Sequence, residues 1–156
     1  GALIANNLVD TAAAGISVTN FNEGGRLAVV QGNIVRNLAR REHEPEDKRG
    51  EGIAVEADAV VTGNVVENAT TAGIFVGWTK WMREVVVTSN LVRRSRIGIG
   101  VTGDRDAGAV LVTANLISGA TDGAIRAMQR HAPYGPDLAA TRTETARVLI
   151  HGNAVG

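Results

Sequence analysis

The clearest pattern in the chain is a pair of short apolar runs around an asparagine, followed by a small-residue turn and a third apolar run that opens on Gly-Ile. Residues 59–76, AVVTGNVVENATTAGIFV, show the whole unit. Apolar and polar positions alternate within the runs, which is typical of β-strands. Because a unit this short cannot bury its apolar side alone, we expect it to stack on copies of itself in a solenoid.

The unit recurs along the whole chain. Its asparagines are 26, 31, 26, 25 and 38 residues apart, so a basal turn of roughly 25 residues carries two insertions, at 38–51 and 129–145. The aligned asparagines are Asn7, Asn33, Asn64, Asn90, Asn115 and Asn153. The third run begins at Gly15, Gly52, Gly73, Gly98 and, less regularly, Gly123. Three strands per turn predict a single all-β domain over residues 1–156, with about five three-stranded coils.

The repeated asparagine has a physical role in this arrangement. Its side-chain amide can bond the equivalent asparagine one coil away, so that the six side chains form a ladder. Loss of one rung leaves buried groups unpaired, at about 1–3 kcal/mol. We therefore predict that the asparagines lie in single file, about 4.8 Å apart.

The alternation also predicts which side chains face the interior. Expected to face inward are Val60, Val65, Ile74 and Val76, and in the next unit Val85, Val87, Leu91, Ile99 and Val101. Expected to face outward are Thr62, Glu67 and Phe75. Gly and Asn interrupt the apolar runs too often for long helices, and only residues 38–49 and 137–146, both within the insertions, have room for a helical turn.

The composition indicates what the core is made of and which partners are unfavourable. Hydrophobic residues make up 44% of the chain and aromatic residues only 3%, so the core is built from Val, Ile, Leu and Ala. Sixteen basic and sixteen acidic residues give no net charge, which argues against nucleic acid or an anionic membrane as a partner. The chain has no cysteine, and no apolar run reaches membrane-spanning length. No cofactor is predicted.

The spacing GNxVxN, short turn, GIxV resembles the right-handed parallel β-helix repeat of pectate-lyase-like proteins and alginate epimerases. More narrowly, residues 4–33 and 52–78 resemble the C-terminal part of bacterial twin-arginine-translocated repetitive β-helix proteins. The resemblance covers essentially the whole chain. It implies a right-handed parallel β-helix, and export to the periplasm or beyond. In the wider superfamily, active sites usually lie on the outer face of the GIxV strand, between flanking loops.

By that analogy, the outward positions of the GIxV strands are candidates for chemistry. Carbohydrate lyases and epimerases need a base and a group that neutralises a uronate carboxylate. On these strands Glu56 and Arg126 qualify, but they lie several coils apart. The first insertion adds His43 and Glu44 as candidates, although a solvated, self-neutralising loop is the simpler explanation of its charges.

The loops after the third strand carry other candidates. Trp78, Lys80 and Trp81 combine exposed aromatic and basic character, which suits sugar stacking, a partner surface or simply a lid over the core. Asp104 and Asp106 have a D-x-D spacing that hard cations favour, but no calcium-binding motif surrounds them, so no metal site is predicted. The last insertion supplies a further possible rim: Gln129, Arg130, His131, Tyr134 and Asp137. The three histidines have no zinc-site spacing.

Two functions therefore remain open, and the sequence does not decide whether the protein is an enzyme. One is a non-catalytic exported β-helix module with a structural, interaction or carbohydrate-binding role. The other is a polysaccharide-active lyase or epimerase with a cleft lined by loop and strand residues. The expected partners are a polysaccharide and another β-helix segment, either upstream in a longer solenoid of which this chain is a piece or stacked end to end from another chain.

Overall fold

In the computed structural model, which describes residues 1–39, 43, 50–140, 143–144 and 147–156, the chain winds into three mostly parallel sheets. Each coil contributes one strand to each sheet. Five complete coils and two strands of a sixth lie in the described ranges. The predicted right-handed parallel β-helix is confirmed.

The first sheet contains the strands that precede the ladder asparagines: β1 (Ala2–Ala5), β4 (Ala28–Gln31), β7 (Ala59–Thr62), β10 (Val85–Thr88), β13 (Val110–Thr113) and β18 (Val148–His151). The second sheet contains the strands that follow them: β2 (Leu8–Ala12), β5 (Ile34–Leu38), β8 (Val65–Ala69), β11 (Leu91–Arg93), β14 (Leu116–Ser118) and β19 (Ala154–Val155). The third sheet contains the Gly-Ile strands: β3 (Ala14–Val18), β6 (Glu51–Val55), β9 (Ala72–Val76), β12 (Ile97–Thr102) and β15 (Ile125–Gln129).

The asparagine ladder is confirmed in atomic detail. The Asn33 Nδ2 donates to Asn64 Oδ1 over 2.9 Å, and Asn64 Nδ2 donates to Asn90 Oδ1 over 3.0 Å. The second N–H of the Asn64 amide reaches the carbonyl of Val30 in the preceding coil. The same Asn64 oxygen also accepts the backbone N–H of Asn33. The rungs continue through Asn7, Asn33, Asn64, Asn90, Asn115 and Asn153.

The inward asparagine side chain corrects part of the predicted core. Val60 and Val65 were expected to face inward, but the structure places Val61 and Val66 there, both fully buried. Because Asn64 itself points inward, its immediate neighbour Val65 must point outward. The prediction that Leu91 faces inward was wrong for the same reason, since Val92 takes the interior position. The other predicted inward residues are buried: Ile74, Val76, Val85, Val87, Ile99 and Val101.

A left-handed residue turns the chain just before every ladder asparagine. These residues have φ between 54° and 64° and are Asn6, Gly32, Gly63, Ser89, Ala114 and Gly152. Half of them are glycine, which adopts this conformation without steric cost. Ser89 and Ala114 carry a Cβ there, and the ladder holds them in place.

The Gly-Ile signature has a different origin, which is close approach between coils. A Cβ built on Gly73 would lie 2.8 Å from the Gly98 carbonyl oxygen and 2.3 Å from a methyl carbon of Val92. Gly52 is equally confined, by the Gly73 carbonyl oxygen at 2.4 Å. Glycine therefore stacks on glycine at this position, and the following isoleucine fills the core.

The second insertion forms strands instead of the helical turn considered from the sequence. Strand β16 (Ala132–Asp137) turns back and pairs antiparallel with β15, and β17 (Thr143–Glu144) pairs antiparallel with β18. The first insertion lies largely outside the described residues. A single 3₁₀ turn (Thr79–Trp81) follows β9, and none of the described helical residues forms a segment suited to crossing a membrane.

We predict that Asn64→Ala lowers the free energy of unfolding by about 3 kcal/mol or more, because two N–H groups of Asn33 and the carbonyl of Val30 lose buried partners. Asn7→Ala is the control. Asn7 is exposed and its side chain donates to the ladder without accepting from it, so we expect a loss of about 1 kcal/mol. Urea denaturation measures both, and equal losses would contradict the ladder's role.

We predict opposite effects on stability for two reverse substitutions, alanine to glycine and glycine to alanine, at equivalent left-handed positions in two coils. Ala114→Gly should raise the free energy of unfolding by about 1 kcal/mol, because glycine removes the left-handed strain. Gly63→Ala should lower it by a similar amount, since the nearest atom to the added Cβ is 4.0 Å away and only backbone strain changes. Thermal denaturation checks both, and shifts of the same sign would refute the explanation.

Candidate functional site

The outer face of the third sheet carries the most varied chemistry among the described residues. In-register pairing aligns one outward row across the coils: Ser17, Ala54, Phe75, Gly100 and Arg126. A second outward row lies two residues further along each strand and includes Glu56, Gly77, Thr102 and Met128. The sequence predicted both rows, and the pairing confirms the first.

A groove of about 430 Å³ runs over the first three coils of this face. Its apolar wall contains Phe21, Phe75 and Trp78, and its polar groups include Glu51 and Glu56. Further lining residues are Ala14, Ile16, Ser17, Val18, Thr19, Ala54, Val55, Gly77 and His131. Aromatic surface beside a few polar groups is the usual make-up of a small-ligand site.

His131 is the residue that joins the distant parts of this groove. Its ring stacks on Phe75 with centroids 5.6 Å apart, and lies 4.9 Å from the Trp78 ring centroid. Its Nδ1 is 3.2 Å from Glu51 Oε1, but the angle does not make a hydrogen bond. Both imidazole nitrogens and that carboxylate oxygen are therefore buried and lack a hydrogen-bond partner among the described residues.

The hairpin that carries His131 is firmly anchored. The Asp137 carboxylate accepts the backbone N–H groups of Ala124, Ile125 and Ala139 at 2.6, 3.0 and 2.9 Å. Arg126 donates to the Asp122 carboxylate at 2.9 Å and to the Gly135 carbonyl at 3.0 Å. These contacts hold the C-terminal half of β16, and the pairing of Gln129 with Ala132 holds the turn that carries His131 over the sheet.

The other end of the groove is closed by residues 19–27, which join β3 to β4. The backbone N–H of Asn20 donates to Glu56 Oε2 over 2.6 Å, and the Asn20 side chain donates to Asp58 Oδ2 over 2.8 Å. Arg83 pairs with the same Asp58 oxygen at 2.5 Å. Burial raises the pKa of Glu56, and the hydrogen bond from Asn20 opposes that rise.

The predicted tryptophan site divides into two parts. Trp78 lines the groove, whereas Trp81 packs on Phe21 with centroids 5.6 Å apart. The ammonium of Lys80 lies 4.9 Å from the Trp81 ring centroid, within range of a cation–π contact. Phe21 therefore contacts Trp81 and also lines the groove beside Trp78.

The remaining predicted candidates lie elsewhere. Arg126 is three coils from Glu56, roughly 14 Å at the spacing of paired strands, and its guanidinium is engaged by Asp122 and Gly135. His43 is exposed and does not line the groove, and Glu44 lies outside the described residues. Of the three predicted catalytic candidates that the structure describes, Glu56 is the one that lines the groove.

The Asp104 and Asp106 pair forms a turn. The Asp104 carboxylate accepts the backbone N–H of Asp106 over 2.9 Å, and Arg105 lies 3.8 Å from the Asp106 carboxylate. Across the described ranges, no group of three or more His, Asp or Glu side chains is placed to hold a metal ion. The D-x-D spacing is accounted for by the turn that it closes.

Sequence reasoning placed His131 only on a possible rim and gave Glu51 no role. The available signal was the position of the second insertion, which directly follows a third-sheet strand and must leave from that face. Periodicity cannot show that the insertion folds back by about three coils, because that contact is made by residues far apart in the chain. No family model matches this chain, and neither a curated protein nor a solved structure does.

We predict that Glu56→Gln stabilises the protein at neutral pH. Folding raises the Glu56 pKa from its ordinary value of 4.5, so its favourable contribution exists below the unfolded-state pKa and is lost as the pH rises through the folded-state pKa. Glutamine stays neutral and keeps an oxygen that accepts the Asn20 N–H. The melting temperature of the variant should exceed that of the wild type at pH 7, and the difference should shrink towards pH 4.

The matched control is Glu23→Gln, which neutralises an exposed glutamate of residues 19–27, the loop whose Asn20 contacts Glu56. We expect it to change the melting temperature little at either pH. A Glu56→Gln difference that grows as the pH falls would contradict the assigned direction of the pKa.

Proposed function

We propose that this chain is a non-catalytic, carbohydrate-binding β-helix module that holds a sugar in the groove of the third sheet. The single observation that carries the proposal is the groove itself, with the Trp78 ring on one wall and unpaired polar atoms of Glu51 and His131 beside it. A sugar ring offers an apolar face for stacking and hydroxyl groups for hydrogen bonds. The groove offers an aromatic ring for the apolar face and polar side chains for the hydroxyl groups.

The partnerless atoms support a hydroxylated ligand in particular. A buried polar group without a hydrogen bond costs about 1–3 kcal/mol, and a ligand hydroxyl that reaches it recovers that free energy. A hydroxyl can donate to Glu51 Oε1 and accept from an imidazole N–H of His131, because it is both donor and acceptor. Because the two groups lie 3.2 Å apart and are both shielded from solvent, a hydroxyl that bonds them enters only when the His131 ring moves aside.

Export of the module forms part of the proposal. It is supported by the resemblance of residues 4–33 and 52–78 to twin-arginine-translocated repetitive β-helix proteins. Such proteins meet polysaccharide in the periplasm or beyond it. Cell fractionation of the protein produced with its native flanking sequence tests this part, and a purely cytoplasmic signal would count against it.

We expect Trp78→Ala to weaken oligosaccharide binding by about tenfold, which corresponds to the loss of one stacked ring at ~1.4 kcal/mol. The measurement is calorimetric titration with short neutral, amino-sugar and uronate oligosaccharides. Trp81→Phe is the control, because it keeps the contact with Phe21 and lies outside the groove. Equal losses in both variants, or no binding of any sugar class to the wild type, would overturn the groove as the site.

The second candidate is a polysaccharide lyase or epimerase that uses the same groove. The observation favouring it is the Glu51–His131 pair, because a carboxylate beside an imidazole can position a general base. Against it stands the position of Arg126, which lies three coils from Glu56 and whose terminal guanidinium nitrogens already donate to Asp122 and Gly135, so it cannot neutralise a uronate bound at Glu56. Exchange of the uronate C5 hydrogen with deuterated solvent tests it: exchange that disappears in His131→Ala would replace the non-catalytic proposal.

A further inference from the structure

The second sheet presents a long exposed row of aliphatic side chains. Strand pairing aligns the residue that follows each ladder asparagine, and the row reads Leu8, Ile34, Val65, Leu91, Leu116 and Ala154. Leu8 is 64% exposed and Ile34 is 46% exposed, whereas Val65 and Leu91 between Ile34 and Leu116 are half-buried. Single exposed aliphatic residues are ordinary on protein surfaces, but a contiguous row is a feature of interaction sites.

Beside the aliphatic row runs a row of alternating charge. The outward residues two positions further along each strand are Asp10, Arg36, Glu67 and Arg93, in the first four coils. Arg36 bonds Asp10 over 2.8 Å, and Arg93 bonds Glu67 over 2.8 Å. The side chains of Arg36 and Arg93 are nevertheless 47% and 45% exposed, so both retain surface for a second contact, whereas Glu67 is 13% exposed and also pairs with Arg94.

The charges alternate in sign along the four coils. A second copy of the row that runs in the opposite direction therefore sets an opposite charge against each of them. A two-fold axis parallel to the strands, between the second and third coils, places Asp10 against Arg93 of a second copy. It places Arg36 against Glu67 in the same way. Each row then faces its own counterpart, so Leu8 meets Leu91 and Ile34 meets Val65. A parallel arrangement would instead set like charges against each other.

We propose that the second sheet is a self-association surface, and that its occupant is a second copy of this chain in antiparallel orientation. An isologous contact of this kind is the commonest way in which identical chains pair. Four overlapping coils of about 4.8 Å spacing give a small interface, which belongs to the class of weak, reversible contacts below about 1,200 Å². The dimer therefore forms at high micromolar concentration and dissociates on dilution.

Charge reversal tests the proposed register. Glu67→Arg alone and Arg36→Glu alone each set like charges across the interface, so each should weaken dimerisation at least about tenfold. The double variant Arg36→Glu with Glu67→Arg restores opposite charges between copies, although it disrupts the pairs with Asp10 and Arg93 within the chain. Sedimentation equilibrium should show that dimerisation returns to within about threefold of the wild type.

Arg105→Glu, an exposed change far from the second sheet, is the matched control and should dimerise like the wild type. Thermal denaturation of every variant verifies folding. A wild type that stays monomeric at millimolar concentration would overturn the proposal. A double variant as weak as the single ones would overturn the antiparallel register.

A cross-linking experiment gives a second, independent answer. The chain has no cysteine, so Leu8→Cys and Leu91→Cys can be prepared as separate proteins and mixed. These positions lie three coils apart within one chain, and the antiparallel register brings them together only between different chains, so the mixture should form disulfide-linked dimers faster than either variant alone. Equal rates in all three samples would show that cross-linking follows random collision, which contradicts the proposed surface.

Discussion

The structure depends on hydrogen bonds that repeat from coil to coil at one corner. The Asn64 amide donates to the next coil and to the previous one, while its oxygen accepts two N–H groups of Asn33. An asparagine inside the stack makes its side-chain to side-chain bonds in both directions because its neighbours are also asparagine. The ladder therefore fixes the vertical registration of the coils, and the rest of the core follows from it.

Regular coils leave little room for a binding site, because every outward position is surrounded by the same positions of adjacent coils. In this chain the variety comes from segments that leave the coils and return over the third sheet. The hairpin held by Asp137 brings His131 above Phe75, and the loop held by Glu56 and Asp58 brings Phe21 to the groove. The groove is thus made by insertions, on a floor supplied by the repeat.

The division between repeat and insertion also explains what the sequence could predict. The spacing of asparagine and Gly-Ile predicted the coils, the ladder and the third-sheet rows, since those features depend on local periodicity and stacking. The same periodicity gave Val60 instead of Val61, because it contains no sign that the asparagine side chain turns inward. Phe75 was correctly predicted to face outward, yet it is buried, because His131 covers it from a segment 56 residues later. Contacts of that range are decided by tertiary structure, which a single sequence shows only as an insertion of unknown course.

Stacking also constrains charge. Equivalent residues of adjacent coils lie about 4.8 Å apart, so a charge repeated in every coil would be repelled by its own copies. The second sheet avoids this with the alternation of Asp10, Arg36, Glu67 and Arg93. The third sheet avoids it differently: the position of Glu56 is taken by Gly77 and Thr102 in the following coils, so its carboxylate has no like charge stacked on it there. Alternation relieves repulsion within the chain, and an alternating row of even length becomes complementary to its own reverse. A device that stabilises the single solenoid therefore also prepares one of its faces for a second copy.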